Sequence, residues 1–110
     1  DLDRVLASPA TRCIQTLEPL AERLGVPVDC DPRLQEGARP SDSLALADEL
    51  REAGGRIAVC SHGDVIPDLL RSVRDLGARV DDELRWPKAS TWVIGARGGR
   101  WSTVRYLPPP

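Results

Sequence analysis

The stretch that decides the fold is "IAVCSHGD", residues 57–64. Ile57 to Cys60 form a continuous apolar run, a pattern typical of a strand buried on both faces of a parallel sheet. Ser61 to Asp64 follow directly, and they include His62, the only histidine among the 110 residues. Open α/β sheets bind ligands at the carboxyl ends of their strands, so this polar motif predicts a functional site there.

A similar arrangement stands near the beginning of the chain. Residues 2–7 predict a short buried strand, and "SPATR", residues 8–12, follows it. Ser8 is expected to cap a helix, with Pro9 at the first helical position. If this strand and the strand before His62 are parallel, the two polar motifs lie along one edge of the sheet.

Helical and extended patterns alternate along the rest of the chain. Apolar residues at helical spacing predict helices at 9–24, 43–53 and 65–76, the last of them capped by Asp64. Further strands are expected at 26–30, 91–94 and 101–107, with loops at 31–40 and 80–88 and a turn at 98–99. This alternation predicts an α/β fold of three α/β/α layers around a mostly parallel sheet. We expect residues 1–107 to form one domain and 108–110 a terminal tail.

The composition argues against several classes of protein. A net charge of −2 gives no electrostatic reason to expect nucleic acid as a partner. No apolar run approaches the roughly 20 residues of a membrane span. The three cysteines have no CxxC spacing, and one histidine cannot complete a common zinc site, so no metal is predicted. Three reduced thiols in a cytoplasmic protein are expected instead.

The residues after the two strands indicate a site for a phosphate group. Arg12 would lie in the first turn of a helix, beside backbone amides that attract anions, and its guanidinium matches two phosphate oxygens. His62, across the same edge, would share the phosphate or transfer a proton. The alternative is a structural histidine and an arginine that pairs with a surface carboxylate such as Glu18 or Asp31.

Three motifs occur in order along the chain. The first is "SPATRCIQT" with Ser8, Pro9, Arg12, Gln15 and Thr16; the second is Leu34 and Glu36; the third is Ser61, His62, Gly63 and Asp64. Together they resemble the histidine phosphatase (phosphoglycerate mutase-like) superfamily. The stretch "KASTWVI", residues 88–94, is similar to a subgroup in which the phosphatase domain follows a Nudix (MutT-type) domain in nucleotide-cleaning hydrolases.

This resemblance implies a hydrolase that cleaves phosphate esters or nucleotide phosphates through a phosphohistidine intermediate. Arg12 and His62 would bind the phosphoryl group and stabilise its developing charge, joined at the phosphate by Ser8 and Gly63. Glu36 would be the candidate proton donor. No metal or organic cofactor is implied for these motifs, whereas an upstream Nudix domain would require magnesium.

One element of the family pattern does not occur in these 110 residues. The nucleophile of the family is a histidine in an Arg-His-Gly motif after an earlier strand, and this sequence has neither that motif nor any methionine. The chain is therefore expected to be the C-terminal two-thirds of a phosphoglycerate mutase-like domain, incomplete at its N-terminus. Exposed apolar surface on residues 57–60 would then favour an oligomer or a poorly soluble monomer.

Two other functions remain open at this point. The stretch from Leu34 to Arg56 is short and leaves little room for a lid, which suits a protein phosphohistidine phosphatase. The lack of a nucleophile suits a remnant that binds phosphate or a partner without turnover.

Overall fold

A computed structural model describes residues 2–81, 83–88 and 90–110. Over these residues the chain forms six strands, three α-helices and one short 3-10 helix. In chain order they are β1 (Arg4–Ala7), α1 (Thr11–Leu24), β2 (Val28–Cys30), the 3-10 helix (Pro32–Leu34), α2 (Pro40–Ala53), β3 (Ile57–Cys60), α3 (Val65–Asp75), β4 (Arg79–Val80), β5 (Thr91–Arg97) and β6 (Arg100–Leu107). Within these ranges no helix has the length and apolar character needed to cross a bilayer.

The first sheet has the strand order β2-β1-β3, and both of its pairings are parallel. Ala7 at the end of β1 aligns with Cys30 on one side and with Cys60 on the other. The polar segments that follow β1 and β3 therefore emerge at the same edge. This confirms the parallel arrangement that the sequence predicted for these two strands.

Helices cover both faces of the first sheet, because successive side chains of a strand point to opposite faces. Val5 and Ala7 of β1 form one buried cluster with residues of α1. Leu6, between them, packs on the other face with Leu34 and with Leu46 of α2. The predicted three-layer α/β/α architecture is confirmed.

The second sheet has the order β4-β6-β5, with β4 parallel and β5 antiparallel to β6. Gly98 and Gly99 form the predicted turn between β5 and β6, and their φ angles of 60° and 75° suit a tight hairpin turn. Leu70 and Val73 of α3 pack against Val104 of β6 in a separate buried cluster. Three of the four pairings described are parallel, but the strands are divided between two sheets.

Two predicted helix starts were wrong. The N-cap of α1 is Ala10 instead of Ser8, because the Ser8 hydroxyl is engaged below the helix by His62. The helix therefore begins at Thr11. α2 begins at Pro40, three residues before the predicted Ser43, and proline is well suited to a first helical position.

The prediction that β3 is buried on both faces was also wrong. Ile57, Ala58 and Cys60 are half-buried, and Val59 is 43% exposed. The reason is the position of β3 at an edge of the described three-stranded sheet, whereas β1 at its centre is covered on both sides. Assembly of the protein through this apolar surface stays a prediction.

Candidate active site

An open cleft of about 760 Å³ lies at the carboxyl ends of β1 and β3. Its shape follows from the sheet: the Ser8 amide donates to the Cys60 carbonyl at 3.0 Å and extends the parallel ladder beyond the last paired residues. The cleft is lined by Arg12, Cys13, Thr16, Glu36, Cys60, Ser61, His62, Gly63, Asp64 and Lys88. Four of the five predicted site residues therefore line one cavity: Arg12, Glu36, His62 and Gly63.

His62 forms the buried floor of the cleft and is 7% exposed. Its Nε2 lies 2.7 Å from the Ser8 hydroxyl, and its Nδ1 lies 3.0 Å from Nη2 of Arg12. Because a guanidinium can only donate, Nδ1 must accept, and the ring proton is assigned to Nε2, which donates to Ser8. The network thus holds a neutral imidazole with its acceptor nitrogen towards Arg12.

The electrostatic surroundings of His62 favour the same neutral form. Burial lowers the pKa of His62 below its usual 6.5, and the nearby charge of Arg12 lowers it further. The negative charge of Asp64 acts in the opposite direction and is the weakest of the three effects. Near neutral pH the unprotonated ring is therefore favoured.

Arg12 lies in the first turn of α1 and donates to both His62 and Glu36. The N-cap residue Ala10 makes no side-chain cap, so the amides of the first turn have no side-chain competitor for a bound anion. Asp31, one of the alternative partners considered for Arg12, instead pairs with Arg33 at 2.9 Å. Arg12 pairs with an exposed carboxylate, that of Glu36, and its role in binding an anion stays a prediction.

Glu36 lies between the two groups predicted to bind phosphate. Its Oε1 accepts from Arg12 and is 3.3 Å from Nδ1 of His62, while its side chain remains 62% exposed. In this position the carboxylate takes the place of an anion in the cleft. It acts here as a hydrogen-bond acceptor, and its assignment as a proton donor stays a prediction.

Two hydrogen bonds attach the segment around Glu36 to the motif that contains His62. The Ser61 hydroxyl donates to the Leu34 carbonyl at 2.6 Å, and the Gly37 amide donates to Asp64 at 2.8 Å. The bond from Gly37 is the main reason that the pKa of Asp64 is lowered. Asp64 stands at the N-cap position of α3 as predicted, but its carboxylate makes no cap and fastens this loop instead.

Ser8 and Gly63 occupy different parts of the site. Ser8 is completely buried behind His62 and is absent from the lining of the cleft, so its contact supports the orientation of the imidazole. Gly63 lies on the cleft surface, with open space where a Cβ would stand. A direct phosphate contact by either residue stays a prediction.

Three lining residues were not among the motif residues named from the sequence: Cys13, Cys60 and Lys88. The Cys13 sulfur lies 3.7 Å from Nε2 of His62, and burial raises the pKa of the Cys60 thiol to about 11. Cys13 directly follows Arg12, and Cys60 directly precedes Ser61. Their positions next to predicted site residues could have indicated that both cysteines line the cleft. Within the described ranges, no group of three or more metal-ligating side chains is placed to hold a metal ion.

Comparisons with known proteins indicate the family that this chain resembles. Residues 1–40 match the family model described as the histidine phosphatase superfamily, branch 1. The chain is also similar to the 8-oxo-(d)GTP phosphatase of Mycolicibacterium smegmatis, with 34% identity over 107 residues that cover 94% of this chain and 33% of that relative. The chain thus spans about one third of the length of the relative. The resemblance to the histidine phosphatase superfamily that the motifs predicted is confirmed.

Proposed function

Starting from a histidine phosphatase-type domain, we propose that this chain forms the phosphate-binding part of a hydrolase acting on nucleotide phosphates or other phosphate esters. One observation carries the proposal. Arg12 and His62 meet at 3.0 Å across the ends of two parallel strands, beside the uncapped first turn of α1. A cation and an imidazole in one cleft, beside the N-terminus of a helix, suit a tetrahedral anion.

The first step is entry of a phosphoryl group between Arg12 and His62. The phosphoryl oxygens replace the Glu36 carboxylate as acceptors for Arg12, which frees Nδ1 of His62. The added negative charge favours protonation of that nitrogen, which then donates to a phosphoryl oxygen. Ser8 keeps the ring in place by accepting from Nε2 at the opposite side.

The chemical step requires a nucleophile that we place outside these 110 residues. A ring nitrogen of a second histidine, distinct from His62, would attack phosphorus. The bond between phosphorus and the leaving oxygen would break, and an acid, for which Glu36 is the candidate, would give its proton to that oxygen. Water would then attack the phosphohistidine, releasing orthophosphate and restoring the imidazole. Arg12, protonated His62 and the helix amides would stabilise the charge that spreads over the phosphoryl oxygens.

The name of the relative, an 8-oxo-(d)GTP phosphatase, supports a nucleotide as the substrate. We further propose that a Nudix domain precedes this domain on the same polypeptide and that the protein acts in the cytoplasm. The support for the Nudix domain is the "KASTWVI" stretch, residues 88–94. A protein phosphohistidine phosphatase is the alternative with the same anion site.

Phosphate binding is tested by titrating the 110-residue chain with orthophosphate and with vanadate in a calorimeter at pH 7. One saturable site is expected, and Arg12→Ala should remove it. Arg23→Ala is the matched control, because Arg23 is an exposed arginine in the last turn of the same helix. A folded chain that binds neither anion, or an Arg12→Ala variant that binds equally well, would overturn the proposal.

The position of the nucleophile is tested separately with a nucleoside triphosphate labelled with ³²P in its terminal phosphate. The chain alone is expected to acquire no acid-labile label, because His62 serves as a binding group. Labelling of His62 would contradict the proposed division of roles. In competition experiments, a phosphohistidine peptide that displaces orthophosphate more effectively than a nucleotide would favour the alternative substrate.

A further inference from the structure

The cleft extends well beyond the Arg12–His62 pair. Its volume of about 760 Å³ falls in the range of pockets that hold whole small molecules, roughly 300–1,000 Å³. Lys88, the only lysine of the sequence, belongs to its lining and comes from the segment between β4 and β5. A phosphoryl group at Arg12 and His62 therefore leaves part of the cleft for the rest of a substrate.

The four charged side chains of the cleft are not equally engaged. Glu36 accepts from Arg12, and Asp64 accepts from the Gly37 amide. No ion pair in the described part of the chain includes Lys88, and its side chain is exposed. An anionic group in the outer part of the cleft would therefore meet an ammonium that no described carboxylate neutralises.

We propose that Lys88 binds a second phosphate of a nucleoside di- or triphosphate while Arg12 and His62 bind the terminal phosphoryl group. This inference rests on the proposed function and assigns Lys88 as a specificity-determining residue. Lysine is a compact cation on a flexible stem, and it binds phosphate as a point charge without strict geometry. Such a group suits the rim of the cleft, where a phosphate chain can lie in several ways.

The consequence is discrimination between two classes of substrate. Specificity is a difference between two affinities. A phosphomonoester with an uncharged leaving group makes no additional ionic contact with Lys88, so its affinity is not increased. A pyrophosphate group makes one charge-assisted contact with Lys88. At an exposed position this contact is expected to contribute about a five- to ten-fold difference in affinity.

Calorimetric titrations with orthophosphate and pyrophosphate, at the same ionic strength, test the assignment. Pyrophosphate is expected to bind about five- to ten-fold more tightly than orthophosphate. Lys88→Gln should reduce the pyrophosphate affinity to the orthophosphate level, and Lys88→Arg should restore it. Arg97→Ala is the control, because it removes an exposed cation near the β5–β6 turn, outside the cleft lining.

The outcomes separate this inference from the function on which it rests. If orthophosphate does not bind at all, the proposed phosphate site itself fails. If orthophosphate binds normally and Lys88→Gln leaves the pyrophosphate affinity unchanged, the second-phosphate assignment is overturned and the phosphate site remains. Thermal melting monitored by circular dichroism should show that both Lys88 variants are as folded as the unmodified chain.

Discussion

The cleft has two walls that differ in how they are held. The sheet wall consists of Cys13 and His62, which are 3% and 7% exposed. The fully buried Ser8 supports His62 from behind, and contacts at the strand ends join the three residues. The loop wall consists of Glu36 and Lys88, both exposed, with Glu36 in a surface ion pair. One wall is an extension of the core, and the other lies in solvent.

This difference separates two tasks of the site. Buried groups with satisfied hydrogen bonds keep their geometry whether or not a ligand is present, which is the requirement for electrostatic stabilisation of a phosphoryl group. Exposed ion pairs contribute little and rearrange at little cost. We therefore expect the sheet wall, together with Arg12, to determine whether any phosphate binds, and the loop wall to determine which phosphate compound is preferred.

Within the sheet wall, the largest effect is expected for His62→Ala, which removes a donor. Loss of a buried hydrogen bond to a charged ligand costs about 1.5–3 kcal/mol, so orthophosphate affinity should fall roughly 10- to 100-fold in calorimetric titrations. Leu76→Ala is the control, because Leu76 follows α3 and is 58% exposed, outside the cleft lining. Equal affinities for His62→Ala and the unmodified chain would remove the distinction between the two walls.

A somewhat smaller effect is expected for Ser8→Ala, measured as stability. The change leaves Nε2 of His62 without its acceptor in a buried position, so the free energy of unfolding should fall by about 1–3 kcal/mol in urea titrations. Ser41→Ala, an exposed serine in the first turn of α2, should change it by no more than about 0.5 kcal/mol. Similar losses for both variants would mean that the Ser8–His62 contact does not stabilise the fold.

The fold of the sheet wall was largely predictable from the sequence. The apolar runs before Ser8 and Ser61 identify the two strands, and the alternation of elements predicts a mostly parallel sheet. This places Arg12 and His62 together before any coordinates are known. The predictions that failed were local rules overridden by contacts distant in sequence: Ser8 was predicted as a helix cap, but its hydroxyl binds His62, 54 residues away.

The loop wall was predictable only in part. Glu36 was identified from a motif, but nothing local indicates that Asp64 binds the Gly37 amide or that Lys88 reaches the cleft. Exposed loops lack the apolar periodicity from which secondary structure and burial can be predicted. Their positions depend on the particular contacts that they make after the core has formed.

The titration of His62 gives a third test of the sheet wall. Its lowered pKa means that the unfolded chain binds a proton more readily than the folded chain. The free energy of unfolding should therefore be highest above pH 6.5 and should decrease as the pH falls from 6.5 through the lowered pKa. His62→Asn should remove this dependence in urea titrations between about pH 7.5 and 5.

Because His62 is the only histidine, no other histidine can account for a change in this window. A free energy of unfolding that rises as the pH falls below 6.5 would mean that the folded chain prefers the protonated ring. The neutral tautomer assigned from the contacts with Arg12 and Ser8 would then be incorrect.

The smallest effect is expected for Glu36→Gln in the loop wall. The Glu36 carboxylate competes with phosphate for Arg12, but the pair is exposed, so its removal should raise orthophosphate affinity only about two- to five-fold. The gain should shrink as salt screens the pair. Glu49→Gln is the matched control, because it removes another exposed carboxylate, one that pairs with Arg33 outside the cleft lining.

Glu36 also shows how the two tasks can be separated within one residue. If it donates a proton during turnover, Glu36→Gln should slow the hydrolysis of a nucleotide by the active enzyme even as orthophosphate binds more tightly to the cleft. If it is only a competitor for Arg12, affinity should rise and turnover should not fall. A decrease in orthophosphate affinity would contradict both roles, because it would mean that Glu36 assists the anion instead of occupying its place.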